Sequence, residues 1–209
     1  TLYSAKYSTD YRITKLSTPA YLQQYRLSCE ESSLRMALAY KGIAVSDWDI
    51  IQKLNYSPKA RDTTNNIWDD PYSMFVGDVK GRIGVEGWGA YAAPIASASK
   101  SLGRDAEAVI GISSTRIAQA IAEDNPVVLY GIIGTSVDSD SWTTDTGKVI
   151  NAPKNAHARL VYGFKGEASN PVGFYLHDPI YGALYWSKAQ LEWNMTFAGT
   201  LSSQAVIVK

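Results

Sequence analysis

The sequence predicts an α+β fold in which helices dominate the first part of the chain and an antiparallel sheet dominates the second. The segment from Cys29 to Tyr40 is rich in Ala, Leu and Ser, contains no Gly or Pro, and ends before Gly42, a pattern typical of a helix and its C-terminal stop. After residue 125 the pattern changes, because short apolar runs alternate with Gly, Asn and Pro, which indicates strands.

The same patterns place the individual elements. Helices are predicted at 29–40, 46–54, 88–102, 115–123 and 187–194. Strands are predicted within 1–13 and at 127–133, 157–164, 173–178, 183–186 and 205–209. Because no repeat or low-complexity linker divides the chain, we expect a single domain over residues 1–209. Its helix-rich lobe is expected at about 23–124, and its sheet-rich lobe at about 125–209 together with the N-terminal segment.

Charge and composition exclude several classes of protein. The 20 Lys and Arg residues are balanced by 20 Asp and Glu residues, and no basic run occurs, so we expect no nucleic-acid partner. The longest apolar run covers only residues 127–133, far short of the roughly 20 residues of a transmembrane helix. The richness in Tyr and Trp suits a secreted or cell-surface protein, and a start without Met fits either a mature secreted fragment or a shortened chain. The oligomeric state is not specified by the sequence.

Few residues are available for metal or cofactor chemistry. The preferred zinc ligands are limited to Cys29, His157 and His177, so a structural zinc site is not expected. No cofactor-binding motif occurs. We therefore expect neither a metal nor an organic cofactor.

The only cysteine, Cys29, lies at the start of the first predicted helix. Unpaired backbone N–H groups and the positive end of the helix dipole favour the thiolate at such a position, and the thiolate is the nucleophilic form of cysteine. A thiolate that attacks an amide also needs a base, a group that orients the base, and donors for the oxyanion.

The chain offers a candidate for each of these roles. His157 opens a predicted strand, at a distance from Cys29 close to the roughly 130–150 residues that separate the two groups in papain-like enzymes. Asp178 ends a later strand, where its carboxylate could orient the imidazole. Gln23, six residues before the thiol, is the candidate oxyanion donor. Gln24 remains an alternative donor, because the geometry of the turn is not visible in the sequence.

Two alternatives to this arrangement stay open. His177 is the other possible base, but adjacent strand residues point to opposite faces, so His177 is expected to face away if Asp178 faces the cleft. A lone cysteine is also more often a small buried hydrophobe than a nucleophile. It is the ordered set of Gln, Cys, His and Asp that favours a catalytic role.

Aromatic residues are candidates for the walls of a substrate cleft. The irregular segment 55–87 and the residues after it contain Trp68, Tyr72, Trp88 and Tyr91, which either bind substrate or fill a core. The loop 136–155 is expected to be a solvated flap in which Trp142 covers the site. Its aspartates lack the Gly and terminal Glu of a calcium loop, so calcium binding is the less favoured interpretation.

The sequence resembles the secreted branch of a family related to the bacteriocin-processing, double-glycine-leader peptidases, the thirty-ninth family of papain-type cysteine peptidases. The resemblance is carried by LSCEESSLRMALAYKGI around the cysteine, WDDPYSMFVGDVKG, EGWGAYAAPIA, PVVLYGI, NAHARLVYGF and YLHDPIYG, and extends from about residue 23 to residue 186. It implies a papain-like fold, with the Cys helix packed on an antiparallel sheet.

The resemblance also implies residue roles: Cys29 as nucleophile, His157 as base, Asp178 as orienting acid and Gln23 as oxyanion donor. The expected activity is hydrolysis of a peptide or amide bond in a peptide or protein substrate. Members fused to transporters cut after paired glycines, but this sequence shows no transporter segment, so that substrate is not assumed. The alternatives are a catalytically silent module that binds a peptide or cell-wall strand, and an amide-transferring enzyme with the same residues.

Overall fold

The computed structural model describes residues 12–196 and 201–209. The helices are α1 (Cys29–Tyr40), α2 (Asp47–Ile51), α3 (Ala92–Ser101), α4 (Ser114–Ala122) and α5 (Lys188–Thr196). The strands are β1 (Ile13–Lys15), β2 (Val76–Gly77), β3 (Gly87–Gly89), β4 (Ala106–Ile110), β5 (Val127–Ile132), β6 (Ser139–Thr143), β7 (Val149–Pro153), β8 (Ala156–Glu167), β9 (Asn170–Asp178), β10 (Gly182–Ser187) and β11 (Gln204–Val208). The strands predicted within 1–13 lie outside the described residues, except where β1 begins.

A seven-stranded sheet organises the molecule. Its strand order is β10-β9-β8-β5-β11-β4, and β1 pairs with the last part of β8. Every pairing within this sheet is antiparallel. Smaller hairpins are formed by β2 with β3 and by β6 with β7. The predicted α+β class with an antiparallel sheet is confirmed.

Helices cover both faces of the sheet, and the alternation of β5 shows why. Val128, Tyr130 and Ile132 point into the core shared with α1, α2 and α3. Val127 and Leu129 point into the opposite core, which includes α4 and α5. Since both faces are covered, β5 is buried along its whole length and is apolar throughout.

Helix α1 begins at Cys29, so the candidate nucleophile lies at the N-terminus of this helix, as predicted from the sequence. Its small buried residues, among them Ser32, Ser33 and Ala37, allow the helix to pack closely against the sheet. Among the described helices, none is both long and apolar enough to cross a bilayer.

Three regions of the chain differ from the sequence predictions. The helix predicted from residue 88 begins at Ala92, because Gly87–Gly89 forms β3 and pairs with β2. Strand β4 was not predicted, and it belongs to the main sheet although it lies within the part expected to be helix-rich. The loop expected to be a flap is instead the hairpin of β6 and β7, in which alternate side chains such as Trp142 and Ile150 are buried.

Candidate active site

A cleft of about 330 Å³ opens between the N-terminus of α1 and the first residues of β8. Its lining brings together residues from the segment before α1, from β3 and the start of α3, from β8 and from the turn after β9. They are Gln23, Arg26, Leu27, Cys29, Glu30, Ile83, Trp88, Tyr91, Ile133, Lys154, Asn155, Ala156, His157 and Ile180. The predicted nucleophile, base and oxyanion donor therefore lie around one cavity.

On the helix side of the cleft, the Cys29 thiol is held by its neighbour in the chain. Cys29 Sγ donates a hydrogen bond to Glu30 Oε2 at 3.0 Å. Within the part of the chain that the structure describes, the thiol makes no hydrogen bond to His157. The resting thiol is therefore bonded to a carboxylate and not to the imidazole.

This environment stabilises the neutral thiol. Burial raises the pKa of Cys29 well above its ordinary value, and Glu30 adds to the rise by its charge and by accepting the thiol hydrogen bond. Glu31 raises the pKa further, whereas the backbone of Ala158 lowers it. The expectation that the helix dipole would favour a thiolate here is wrong for the resting state, because burial and two carboxyl groups in the first turn outweigh the dipole.

On the sheet side, His157 and Asp178 form a buried pair. His157 Nε2 lies 3.0 Å from each carboxylate oxygen of Asp178. Arg159 Nε donates to Asp178 Oδ2 at 2.7 Å, and the backbone N–H of Ile180 donates to Asp178 Oδ1 at 2.8 Å. Because Nε2 is engaged with Asp178, Nδ1 is the ring atom left to exchange a proton with the thiol.

The surroundings of His157 and Asp178 explain the direction in which the pKa of each residue is shifted. Burial lowers the pKa of His157 below its ordinary value, and the nearby Arg159 charge acts in the same direction, against the effect of Asp178. Burial alone would raise the pKa of Asp178, but the hydrogen bond to His157, the Ile180 N–H and the charge of Arg159 hold it well below its usual range. The site thus rests with a carboxylate and a neutral imidazole.

Strand alternation explains how His157 reaches the cleft from the sheet. Ala158 pairs with Tyr130 and packs in the core beneath α1. Its neighbours His157 and Arg159 therefore project to the opposite face of the sheet. Since His157 is the second residue of β8, its ring still reaches the cleft at the end of the sheet, beside Cys29.

The structure distinguishes the two glutamines. Gln23 lines the cleft, and its backbone N–H donates to Pro179 O at 2.9 Å, which joins this segment to the turn after Asp178. Its side-chain Nε2 donates to Tyr25 O and Arg26 O, both at 2.8 Å. Gln24 points elsewhere, because its Oε1 accepts from the backbone N–H of Asp47 at the start of α2.

His177 lies away from the cleft. It shares a face of the sheet with Leu160 and stacks on the ring of Tyr162, with centroids 4.0 Å apart and planes inclined by 8°. Its Nε2 lies 3.3 Å from Thr18 O. This histidine therefore fits a structural role on the face that carries α1.

The predicted substrate-binding aromatics divide into two groups. Trp88 and Tyr91 line the cleft. Trp68 and Trp142 do not: each is 1% exposed, their rings lie 5.5 Å apart, and both indole N–H groups donate to backbone carbonyls. The predictions of Trp68 as a cleft residue and Trp142 as a lid are wrong, because the β6–β7 hairpin folds both rings into the core.

Sequence reasoning missed two charged residues of the site. Arg159 could have been found, because residues two apart in a strand share a face, and a cation at that spacing from His157 would meet the same carboxylate. Glu30 carried a weaker signal, since acidic residues are common in the first turn of a helix. In the described part of the chain, no three His, Cys, Asp or Glu side chains group as a metal-binding set. Asp140, an aspartate of the loop considered above for calcium binding, forms an ion pair with Arg61 at 2.7 Å.

A model of the Peptidase_C39 like family matches residues 15–199 of this chain. No curated protein matches it. A crystal structure of a protein from Bacillus anthracis assigned as a C39-like peptidase has 22% sequence identity and a TM-score of 0.76, and the match covers 95% of this chain and 98% of the other.

Two further solved structures are similar at lower identity. A double glycine motif protease from an AMS/PCAT transporter, in complex with the leader peptide, has 16% identity and a TM-score of 0.53, over 94% of each chain. The peptidase domain of Streptococcus ComA, a bifunctional ABC transporter of a quorum-sensing pathway, has 15% identity and a TM-score of 0.50, over 90% of this chain and 96% of the other. At these identities the likeness shows a shared papain-like fold.

Proposed function

Because the chain belongs to the Peptidase_C39 like family of cysteine-type peptidases, we propose that it hydrolyses peptide bonds with Cys29 as nucleophile. The observation that carries this proposal is the single cleft into which α1 brings the thiol and β8 brings an imidazole already paired with a buried carboxylate. A nucleophile, a base and a group that orients the base are the minimum for acyl transfer by a thiol.

In the proposed reaction, the thiol proton passes from Cys29 Sγ to His157 Nδ1, and the thiolate attacks the substrate carbonyl. Asp178 remains ionised, holds the ring through Nε2 and stabilises the imidazolium. The imidazolium then protonates the leaving amine, which gives a thioester on Cys29. A water molecule, deprotonated by the neutral imidazole, hydrolyses the thioester and restores the thiol.

The oxyanion formed in the attack needs donors near the sulfur. The Cys29 backbone N–H is at the start of α1, where helical N–H groups have no partner within the helix. Gln23 is the proposed second donor, and its amide nitrogen must exchange one loop carbonyl, Tyr25 O or Arg26 O, for the oxyanion. Gln23 thus becomes an oxyanion donor only after its side chain breaks one of these two hydrogen bonds.

We propose a peptide or protein substrate, bound in extended form along the cleft beside Trp88 and Tyr91, and a secreted or cell-surface bacterial setting. The proposal can be tested with a peptide library, using wild-type protein and Cys29→Ala side by side. We expect cleavage at a defined bond by the wild type and none by the variant. Equal cleavage by both proteins would overturn the role of Cys29.

The same experiment separates the alternative functions. Peptides that bind the wild type and are never cut indicate a silent binding module. If cleavage occurs, a second incubation with a small primary amine distinguishes hydrolysis from amide transfer, because a transferase joins the acyl fragment to the amine. We expect the free acid as the main product.

A further inference from the structure

Glu30 occupies an unusual position for a carboxyl group, because it lies within the cleft and directly against the proposed nucleophile. It is 7% exposed, and its Oε2 accepts the Cys29 thiol hydrogen bond at 3.0 Å. Its Oε1 lies against Gly89, where a Cβ atom would come within 2.7 Å of that oxygen. Gly89, at φ +131°, thus leaves the space in which the carboxyl group is enclosed.

The groups packed around Glu30 are carboxyl and phenol groups, which do not neutralise its negative charge. Glu31 follows it in α1, the phenol of Tyr130 approaches from β5, and Tyr91, the residue before α3, lines the same cleft. Among the described residues, no Lys, Arg or His forms an ion pair with Glu30; Arg159, on β8, is paired with Asp178. Burial consequently raises the pKa of Glu30 to about 7, although the thiol and the Ala90 backbone lower it by hydrogen bonding.

We propose that Glu30 gates the nucleophile: its carboxylate keeps the Cys29 proton on sulfur, and protonation of the carboxylate frees that proton for transfer to His157. Glu30 is in this sense a positioning residue that acts through Cys29. The inference rests on the proposed function, since a gate on the thiol matters for catalysis only if the thiol is the nucleophile.

The proton balance fixes the direction of the pH dependence. When Glu30 is a neutral acid, the S–H bond of Cys29 breaks, its proton moves to His157 Nδ1, and the Glu30 O–H donates to the resulting thiolate. When Glu30 is ionised, the thiolate would face a second negative charge at hydrogen-bonding distance, so the proton stays on sulfur. The thiolate–imidazolium pair is therefore favoured below a pH of about 7 and is lost as the pH rises through that value.

The test is the rate of Cys29 alkylation by iodoacetamide between pH 5 and pH 10, measured on the full chain. For the wild type we expect the rate to fall as the pH rises through about 7 and to rise again only at the alkaline end of the range, where the thiol itself ionises. For Glu30→Gln we expect no fall near pH 7 and a rate at pH 8 above that of the wild type, by about tenfold for each unit by which the pKa of the thiol falls.

Two further variants make the result specific. Glu31→Gln removes a carboxyl group that affects the thiol without bonding to it, so we expect a smaller increase in rate at pH 8. Glu123→Gln, on the surface, should match the wild type. If Glu30→Gln does not fold, the fall near pH 7 in the wild type and the response of Glu31→Gln still decide the question.

A wild-type profile that rises smoothly with a single pKa near 8.5, or one that Glu30→Gln leaves unchanged, would overturn the gate. That outcome differs from failure of the proposed function, which is seen as peptide cleavage that persists in Cys29→Ala. Alkylation reports the ionisation of the thiol whether or not a substrate is known, so the two proposals fail separately.

Discussion

The two sides of the cleft differ in how completely their charges are paired. On the sheet side, Asp178 accepts hydrogen bonds from His157, Arg159 and the backbone of Ile180, and is held ionised. On the helix side, the Cys29 thiol donates a hydrogen bond to a buried carboxyl group whose pKa lies near neutrality. One side is fixed in charge over the physiological range, whereas the other changes its charge within that range.

This difference indicates a division of labour between the two sides. A fully bonded carboxylate orients an imidazole at any pH at which the protein is folded. A thiol beside a titrating carboxyl group instead changes its reactivity with pH. Variants of the sheet side should therefore reduce activity at every pH, and variants of the helix side should change the shape of the pH profile.

The largest effect is expected for Asp178→Asn, which removes the charge that orients His157 and balances Arg159. We expect kcat/KM to fall by a factor of about 10⁴ and stability to fall by roughly 3–5 kcal/mol, because Arg159 is left buried without its counter-ion. Activity assays at several pH values and denaturant unfolding measure the two effects. Asp105→Asn, at an exposed position, is the matched control.

The pH dependence of stability on this side follows from the lowered pKa of Asp178. The ionised carboxylate stabilises the folded state above the unfolded-state pKa of about 3.9, and that contribution is lost as the pH falls through the lower folded-state value. Acid unfolding curves should show this loss for the wild type below about pH 4 and not for Asp178→Asn. An Asp178→Asn variant that keeps full activity and has the same acid unfolding curve as the wild type would contradict the account.

Substitution of Trp142 tests whether this residue belongs to the core or to the cleft. Because its ring is fully buried against Trp68 and Trp88, we expect Trp142→Ala to cost roughly 3–5 kcal/mol of unfolding free energy. In the fraction that remains folded, the pH profile of Cys29 alkylation should keep its shape. A stable variant with altered substrate preference would restore Trp142 as a cleft residue.

The pair Gln23 and Gln24 provides a comparison within one dipeptide. We expect Gln23→Ala to lower kcat by a factor of about 10²–10³, the usual cost of one oxyanion donor, with little change in KM. Gln24→Ala removes the hydrogen bond to the Asp47 N–H and should cost about 1 kcal/mol of stability without an effect on kcat. Steady-state kinetics on both variants decide the matter, and equal kinetic losses would exclude a specific role for Gln23.

The effect that depends most on pH is the stability of Glu30→Gln. An acid whose folded-state pKa is raised stabilises the fold while protonated, and this contribution is lost as the pH rises from about 4.5 towards 7. The interval corresponds to roughly 3 kcal/mol, which sets an upper limit, since the variant also loses a charged acceptor for the thiol. Unfolding at pH 5 and pH 8 should show a greater gain for Glu30→Gln at pH 8, and a gain independent of pH would count against a titrating Glu30.

The sequence predicted features of the site that depend on short-range patterns. The helix after Cys29 and its end before Gly42 follow from local spacing, and the structure confirms both. The α+β class and the antiparallel sheet also follow, since the change from helical to strand periodicity is visible after residue 125.

Features set by long-range packing were not predicted. The sequence predicts Trp142 to lie in a loop, because its neighbours in the chain are polar. Only the pairing of β6 with β7 turns its ring into the core. The raised pKa of the Cys29 thiol likewise depends on how deeply Glu30 and Glu31 are buried, which the helix dipole argument does not include. Strand β4 is half exposed at the edge of the sheet, so its apolar signal is weak.

The most direct test of a Cys29–His157 catalytic unit is a double-mutant cycle on kcat/KM, using Cys29→Ala, His157→Ala and the double variant with a peptide that the wild type cleaves. Residues that act as a unit are strongly non-additive. We expect each single variant to lose activity by a factor of at least about 10³, and the double variant to be no worse than either. Losses that multiply in the double variant, or a single variant that cleaves at the wild-type rate, would contradict a shared role for the thiol and the imidazole.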